Sequence, residues 1–270
     1  MNLRIAFQGV KGAYSEDACS KIFGKTETLP CHDFYELFLK VASGEATHGV
    51  VPVENSLHGS VTQVNDLLLD NDLTITKETI VQIRHCLIIQ PQSNISKIKR
   101  VYSHPQALGQ CSNYLNEKAW EVMSAYDTAG SVKMIAENGT EEEAAIASKR
   151  AAEEYGMKVV AENIQNEPEN YTRFFVIEKN PEKTEGNRFS IAFAVKDAPG
   201  SLYNALEAFA KHNVNLTRLE SRPRKNHPWE YVFYADMNWS EDASKAAIEL
   251  GKKAAFVKIL GRYSRIDDDR

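Results

Sequence analysis

A short polar break constrains this chain most. Lys179-Asn180-Pro181-Glu182-Lys183-Thr184-Glu185-Gly186-Asn187 offers nothing to bury and lies between two apolar runs. A stretch with Pro, Gly and charge in that setting reads as a domain linker. It divides the 270 residues into a first domain, 1–180, and a second, 188–270.

The second part has a compact pattern. Phe189 to Val195 reads as a strand, and Pro199-Gly200 breaks it. Leu202, Ala205, Leu206 and Phe209 recur at i, i+3, i+4 and i+7, one face of a helix. Val214 to Glu220 reads as a strand and Pro223 to Pro228 as a turn. Tyr231, Phe233, Ala235 and Met237 alternate, as a half-buried strand does. Ser240 is placed to cap a helix running to Lys253, and Phe256 to Tyr263 closes the set. The order βαββαβ predicts a ferredoxin-like unit.

The first part alternates strands and helices. Leu3 to Gln8, Gly49 to Val53, Thr79 to Gln90, Val101 to Ser103 and Arg173 to Glu178 read as strands. Glu16 to Phe23, Val61 to Leu69, Ala107 to Asn116, Ala129 to Glu137 and Glu142 to Tyr155 read as helices. Short strands that each feed a helix predict an α/β fold with a parallel or mixed sheet covered on both faces. Such sheets bind ligands beyond the carboxyl ends of their strands.

Bulk properties exclude several classes. There are 32 basic and 37 acidic residues, a net charge of −5, so no extended basic face points to nucleic acid. No run is long enough to span a bilayer, and Met1 to Phe7 enters a strand directly, with no signal-peptide pattern. A cytoplasmic protein is expected. Cys19, Cys31, Cys86 and Cys111 form no CxxC pair and have no His cluster at zinc-finger spacing, so neither metal nor other cofactor is implied.

Five polar clusters fall at strand ends. Gly9-x-x-Gly12-x-Tyr14-Ser15-Glu16 lacks the ending of a Walker loop; it is either an anion-binding turn or a plain strand-to-helix turn. Glu54-Asn55-Ser56 follows Val51-Pro52-Val53, and Ser103-His104-Pro105-Gln106 follows a short apolar run. Asp127-Thr128 can cap a helix or bind a ligand. Asn170-Tyr171-Thr172-Arg173-Phe174 enters the final strand, and Arg173 has a fork suited to a carboxylate. Together they describe a cleft for a small, polar, anionic ligand.

These clusters, in this order, resemble the prephenate dehydratase family. The likeness extends through Asp127-Thr128-Ala129, Ala145-Ile146-Ala147-Ser148, Asn163-Ile164-Gln165 and Thr172-Arg173-Phe174. Residues 188–270 resemble an ACT regulatory domain, through Pro199-Gly200-Ser201-Leu202 and Glu220-Ser221-Arg222-Pro223. Ser201-Leu202-Tyr203 departs from the commoner apolar run there. The resemblance implies a two-lobed catalytic domain like periplasmic binding proteins, with lobe one at about 1–80 and 165–178 and lobe two at about 81–164. No chorismate mutase segment precedes residue 1, so the monofunctional form is expected.

The implied activity is loss of carbon dioxide and water from prephenate to give phenylpyruvate, for L-phenylalanine biosynthesis. Arogenate is the alternative substrate, and a non-catalytic amino-acid sensor the farther alternative. The implied catalytic residues are Thr172, donating to the departing hydroxyl, and Arg173, binding a carboxylate or ordering the site. Glu54 or His104 is the implied proton source. Asn55, Ser56, Ser103, Gln106, Thr128, Phe174, Tyr14 and Ser15 are the implied substrate contacts. L-Phenylalanine is the implied effector, bound between paired domains by Pro199, Gly200, Ser201, Leu202, Asn215, Leu216, Glu220, Ser221 and Arg222. That pairing implies a homodimer or homotetramer.

Overall fold

The computed structural model describes residues 3–224 and 230–266. The chain opens with β1 (Arg4–Gln8), α1 (Tyr14–Phe23), β2 (Glu27–Cys31) and α2 (Phe34–Ser43). Then come β3 (His48–Asn55), β4 (Gly59–Ser60), α3 (Thr62–Asp70) and β5 (Thr74–Gln82). The apolar side chains of α2 set its packing: Leu37, Phe38 and Val41 are buried, and Asp33 caps the first turn by accepting from the Glu36 N–H. β1 lies parallel between β2 and β3, as strands linked by crossover helices do.

The chain then crosses to a second lobe. It holds β6 (Cys86–Ile89), β7 (Arg100–Ser103), α4 (Pro105–Gln110), α5 (Ser112–Asn116) and β8 (Glu121–Ser124). α6 (Thr128–Asn138), β9 (Glu143–Ala147), α7 (Lys149–Glu154) and β10 (Lys158–Ala161) complete it. Its five strands run in the order β10-β6-β9-β7-β8. The chain returns through β11 (Tyr171–Glu178), which inserts antiparallel between β3 and β5.

Several predicted elements change here. The predicted strand Thr79 to Gln90 breaks at Ile83–His85, where the chain crosses between lobes. Ala107 to Asn116 is two short helices, and Glu142 to Tyr155 is a strand followed by a helix. Alanine and glutamate favour helix, yet Ala144, Ala145, Ile146 and Ala147 are all wholly buried in the middle of a sheet. Pairing with β6 and β7 on either side overrides intrinsic propensity. β2, β8 and β10 are further elements without strong periodicity in the sequence, whereas α2 carries Phe34, Leu37, Phe38 and Val41 at i, i+3, i+4 and i+7 and is a legible helix that the sequence expectations leave out.

The C-terminal unit is β12 (Arg188–Ala194), α8 (Ser201–Lys211), β13 (Leu216–Pro223), β14 (Tyr231–Asn238), α9 (Glu241–Lys253) and β15 (Phe256–Ile266). This is the predicted βαββαβ order. The Ser240 hydroxyl caps α9, accepting from the Ala243 N–H. Of the predicted turn from Pro223 to Pro228, residues 225–228 lie outside the described residues.

The two parts share one sheet. The end of β15 pairs parallel with β5, through Ser264, Arg265 and Ile266 beside Lys77, Glu78 and Thr79. The ten-stranded sheet therefore runs β13-β14-β12-β15-β5-β11-β3-β1-β2, with β4 attached to β3. The linker is also held: Gly186 packs so close to the Tyr263 backbone that a Cβ there would meet it at 2.0 Å. One face of the C-terminal sheet packs on α8 and α9. The other face sends Val232, Tyr234, Leu260 and Tyr263 into the first lobe's core.

Candidate active site

A cavity of about 660 Å³ lies in the cleft between the lobes. Gln8 at the end of β1, Asn55 at the end of β3 and His104 after β7 line it, as expected for strand ends. Four helices of nine or more residues also begin there: α1 at Tyr14 and Ser15, α2 at Phe34, α3 at Thr62 and Gln63, and α6 at Thr128. Asp33 and Asp127 cap α2 and α6, but α1 and α3 have no side-chain cap. Their first N–H groups are free to meet an anion. Among the described residues, neither Lys nor Arg lines the cleft.

Thr172 and Asn55 are cross-strand partners on β11 and β3. The Asn55 amide nitrogen donates to the Thr172 hydroxyl (3.1 Å), the Asn170 carbonyl oxygen of the side chain (2.8 Å) and the Tyr171 backbone carbonyl (3.2 Å). Its own side-chain oxygen accepts from the Leu57 and His58 N–H groups. The amide is thus fixed in orientation. Thr172 receives a hydrogen bond and keeps its O–H to give. Phe174, two residues on, faces the same cleft.

Arg173 does not face the cleft. The period-two alternation of β11 turns it to the opposite side of the sheet. Its guanidinium meets Asp236 at 2.6 Å, Glu54 at 3.2 Å and Glu78 at 3.5 Å, and stacks over Phe175. Arg173 and Glu54 thus pair with each other and do not line the cavity, an arrangement that fits the second of the two roles implied for Arg173, ordering the site, and not direct contact with a carboxylate or proton supply by Glu54. Burial alone would lower the pKa of Arg173, but Asp236, Tyr263 and Glu78 raise it further above the usual range.

Two hydroxyls are also committed to the frame. Ser103 is wholly buried and donates to the Ile146 carbonyl at 2.6 Å, tying β7 to β9. Ser56 donates to the Glu169 carbonyl and accepts from the Tyr171 N–H, anchoring the start of β11. Neither lines the cavity, so their expected substrate contacts are corrected too. Tyr14, Ser15, Asn55, His104, Gln106, Thr128, Thr172 and Phe174 all do line it. His104 caps α4, its Nδ1 accepting from the Gln106 N–H at 3.2 Å.

The glycine turn serves packing. The Gly12 N–H donates to Glu16, and the Gly12 carbonyl accepts from Ser148 of the second lobe. Other cleft residues gave little sequence signal. His85 is buried between the Tyr14 hydroxyl (3.1 Å) and the side-chain amide oxygen of Gln110 (2.8 Å). Burial lowers its pKa, which favours the neutral ring. Gln110 reaches on to His58, 3.2 Å away on the opposite lobe. Isolated His and Gln residues in a crossover and a helix have no motif to mark them.

Comparison with known proteins fits this geometry. The family model for prephenate dehydratase matches residues 5–182. The chain belongs to the prephenate dehydratase family. A prephenate dehydratase of Methanocaldococcus jannaschii is 40% identical, over 99% of this chain and all of that one. The chloroplastic arogenate dehydratase/prephenate dehydratase 2 of Arabidopsis thaliana is 40% identical over 97% of this chain and 72% of its own length.

Among solved structures, prephenate dehydratase from Arthrobacter aurescens in complex with L-Phe superposes with a TM-score of 0.89. It is 30% identical, over 98% of this chain and 90% of that one. GqqA, described as a novel type of quorum quenching acylase, gives the same TM-score at 33% identity, over 96% and 97%. Prephenate dehydratase relatives thus extend across the C-terminal unit as well as the family-model region. Among the described residues, no helix is long and apolar enough to cross a membrane. All four cysteines are buried free thiols.

Proposed function

We propose that this chain is a prephenate dehydratase, a lyase that turns prephenate into phenylpyruvate in phenylalanine biosynthesis. The substrate's ring carboxylate leaves as carbon dioxide. The C–C bonding pair enters the ring, and the C–O bond breaks with its pair on oxygen. One proton turns the departing hydroxide into water.

The observation that carries this is the Asn55 amide donating to Thr172 on the cleft floor. It orients the Thr172 O–H toward a leaving oxygen, a donor placed before the charge develops. A threonine is a weak acid, so the net proton comes through His104 or a cleft water. With neither Lys nor Arg in the lining, the two substrate carboxylates fall to the uncapped starts of α1 and α3, helped by Thr128 and Gln106. Such neutral donors hold a carboxylate without the tight ion pair that would oppose its loss as carbon dioxide.

The C-terminal βαββαβ unit acts as an ACT domain that senses L-phenylalanine, by analogy with the L-Phe complex of the Arthrobacter protein. The exposed Pro199-Gly200 loop, the start of α8 at Ser201-Leu202, Asn215 just before β13, and Leu216, Ser221 and Arg222 on β13 are the effector contacts. The unit pairs with a second copy to form a homodimer or homotetramer, and the protein is cytoplasmic.

The test is side-by-side turnover of prephenate and arogenate by the purified protein. Preference for prephenate is expected. Preference for arogenate would reassign the substrate. Hydrolysis of N-acyl amides with neither substrate consumed would favour the acylase chemistry named for GqqA.

A further inference from the structure

The cleft wall opposite the second lobe is built jointly with the C-terminal unit. Ser60 on β4 and Thr62 at the start of α3 line the cavity. Glu220 on β13 accepts hydrogen bonds from Ser60 and Arg218, with the Asn65 amide at 3.5 Å. Further along α3, the Tyr234 hydroxyl donates to the Asn65 carbonyl at 3.0 Å, and Arg222 meets Asp66 at 3.5 Å. At the far end Lys258 donates to the carbonyls of Leu68, Leu69 and Asn71, at 3.0, 2.8 and 2.6 Å. Those are the orphan carbonyls of the helix C-terminus, where a cation is favoured. α3 is therefore gripped at both ends by one sheet, while its uncapped first turn faces the substrate space.

β13 explains why this matters. Its side chains alternate: Arg218, Glu220 and Arg222 turn toward the first lobe, while Leu219 and Ser221 remain exposed. Glu220 thus points at the cleft wall. We infer that Glu220 and Lys258 are positioning residues for the substrate cleft, acting through Ser60 and α3. Glu220 is a strut rather than an effector ligand, which corrects its place among the implied phenylalanine contacts. A shift of β13 moves the cleft wall with it.

The inference rests on the proposed substrate, so its test has a second readout. In steady-state kinetics, Glu220→Gln is expected to raise KM for prephenate about tenfold, the scale of one charged hydrogen bond, while kcat falls less. Ser60→Ala should raise it comparably, and the double variant no further, because both remove the same contact. Lys258→Met should move KM in the same direction. L-Phenylalanine binding to Glu220→Gln, measured by calorimetry, should stay within about twofold of the parent. Hydrogen exchange across residues 60–71 should quicken in Glu220→Gln whatever the substrate. Additive effects of Glu220→Gln and Ser60→Ala, unchanged KM, loss of phenylalanine binding, or unchanged exchange would each overturn it. If the parent protein consumes no prephenate, the proposed function fails, and the exchange measurement still decides the strut.

Discussion

The Asn55 side-chain amide donates to the Thr172 hydroxyl across 3.1 Å, joining the ends of two antiparallel strands at the cleft floor. The amide cannot turn, since its oxygen is held by two backbone N–H groups and its nitrogen by three acceptors. The threonine oxygen accepts there and keeps its own proton to donate.

Thr172→Val keeps the shape and removes that donor. Its kcat on prephenate is expected to fall about a hundredfold or more, the usual cost of one preplaced donor, with KM within a few fold. Thr172→Ser should retain most activity. Equal turnover by Thr172→Val and the parent would remove the threonine from the mechanism.

Arg173 sits behind that threonine among Asp236, Glu78 and Glu54, and Glu78 is wholly buried. Arg173→Gln takes one cation from a cluster in which Glu78 keeps Arg188 and Arg265 and Asp236 keeps Arg218, so a loss of about 1–3 kcal/mol in stability is expected. Denaturant unfolding checks this. Asp236→Asn should weaken the same cluster, and a double-mutant cycle should show strong coupling. Independence of the two changes would contradict the pairing.

Asp17 tests the contact between lobes. Burial pushes its carboxyl up to about 6, against the opposing pull of Arg150 at 3.3 Å. The folded pKa lies above the unfolded one, so the native state holds this proton more tightly. Its stabilising contribution is whole below about pH 4 and is lost as pH rises through about 6. Asp17→Asn mimics the protonated form. Its Tm relative to the parent is expected to improve between pH 4.5 and 7.5, as thermal scans would record. A relative Tm that worsens over that range would mean that the Arg150 ion pair outweighs burial.

Gly12 holds a positive φ of 82°, and a Cβ there would lie 2.7 Å from the Ala151 Cα of the second lobe. Gly12→Ala is strained twice, by its backbone and by the facing helix α7. A loss of about 1–3 kcal/mol is expected in calorimetric unfolding. An unchanged Tm would show that the lobes separate there at no cost.

Much of this was legible in the sequence, and the failures have physical causes. The βαββαβ unit was visible because its strands and helices are amphipathic, with Phe189, Ile191 and Phe193 alternating against Phe209 and Leu250. Residues 179–187 separate β11 from β12, though the units they join share one sheet. That β15 runs on to pair with β5 was not visible, since pairing between distant strands leaves no local pattern. Glu143–Ala147 has helix-forming residues and becomes a strand only by burial in the second lobe.

In the cleft, Asn55, Gln106, Thr128 and Thr172 from the strand-end polar clusters come together on the cavity wall. The clusters could not say which way each side chain turns. One step along a strand separates Thr172 in the cleft from Arg173 behind it, and Glu54 from Asn55. Ser103 and Ser56 carry the right chemistry but spend it on backbone carbonyls and N–H groups. Tertiary contact alone makes that choice.

The most direct measurement is release of phenylpyruvate from prephenate by the purified parent protein, with Thr172→Val beside it. Rapid formation by the parent, about a hundredfold slower by the variant, is the expected result. No phenylpyruvate from a folded parent protein, or equal rates from the two, would contradict a dehydratase built on Asn55 and Thr172.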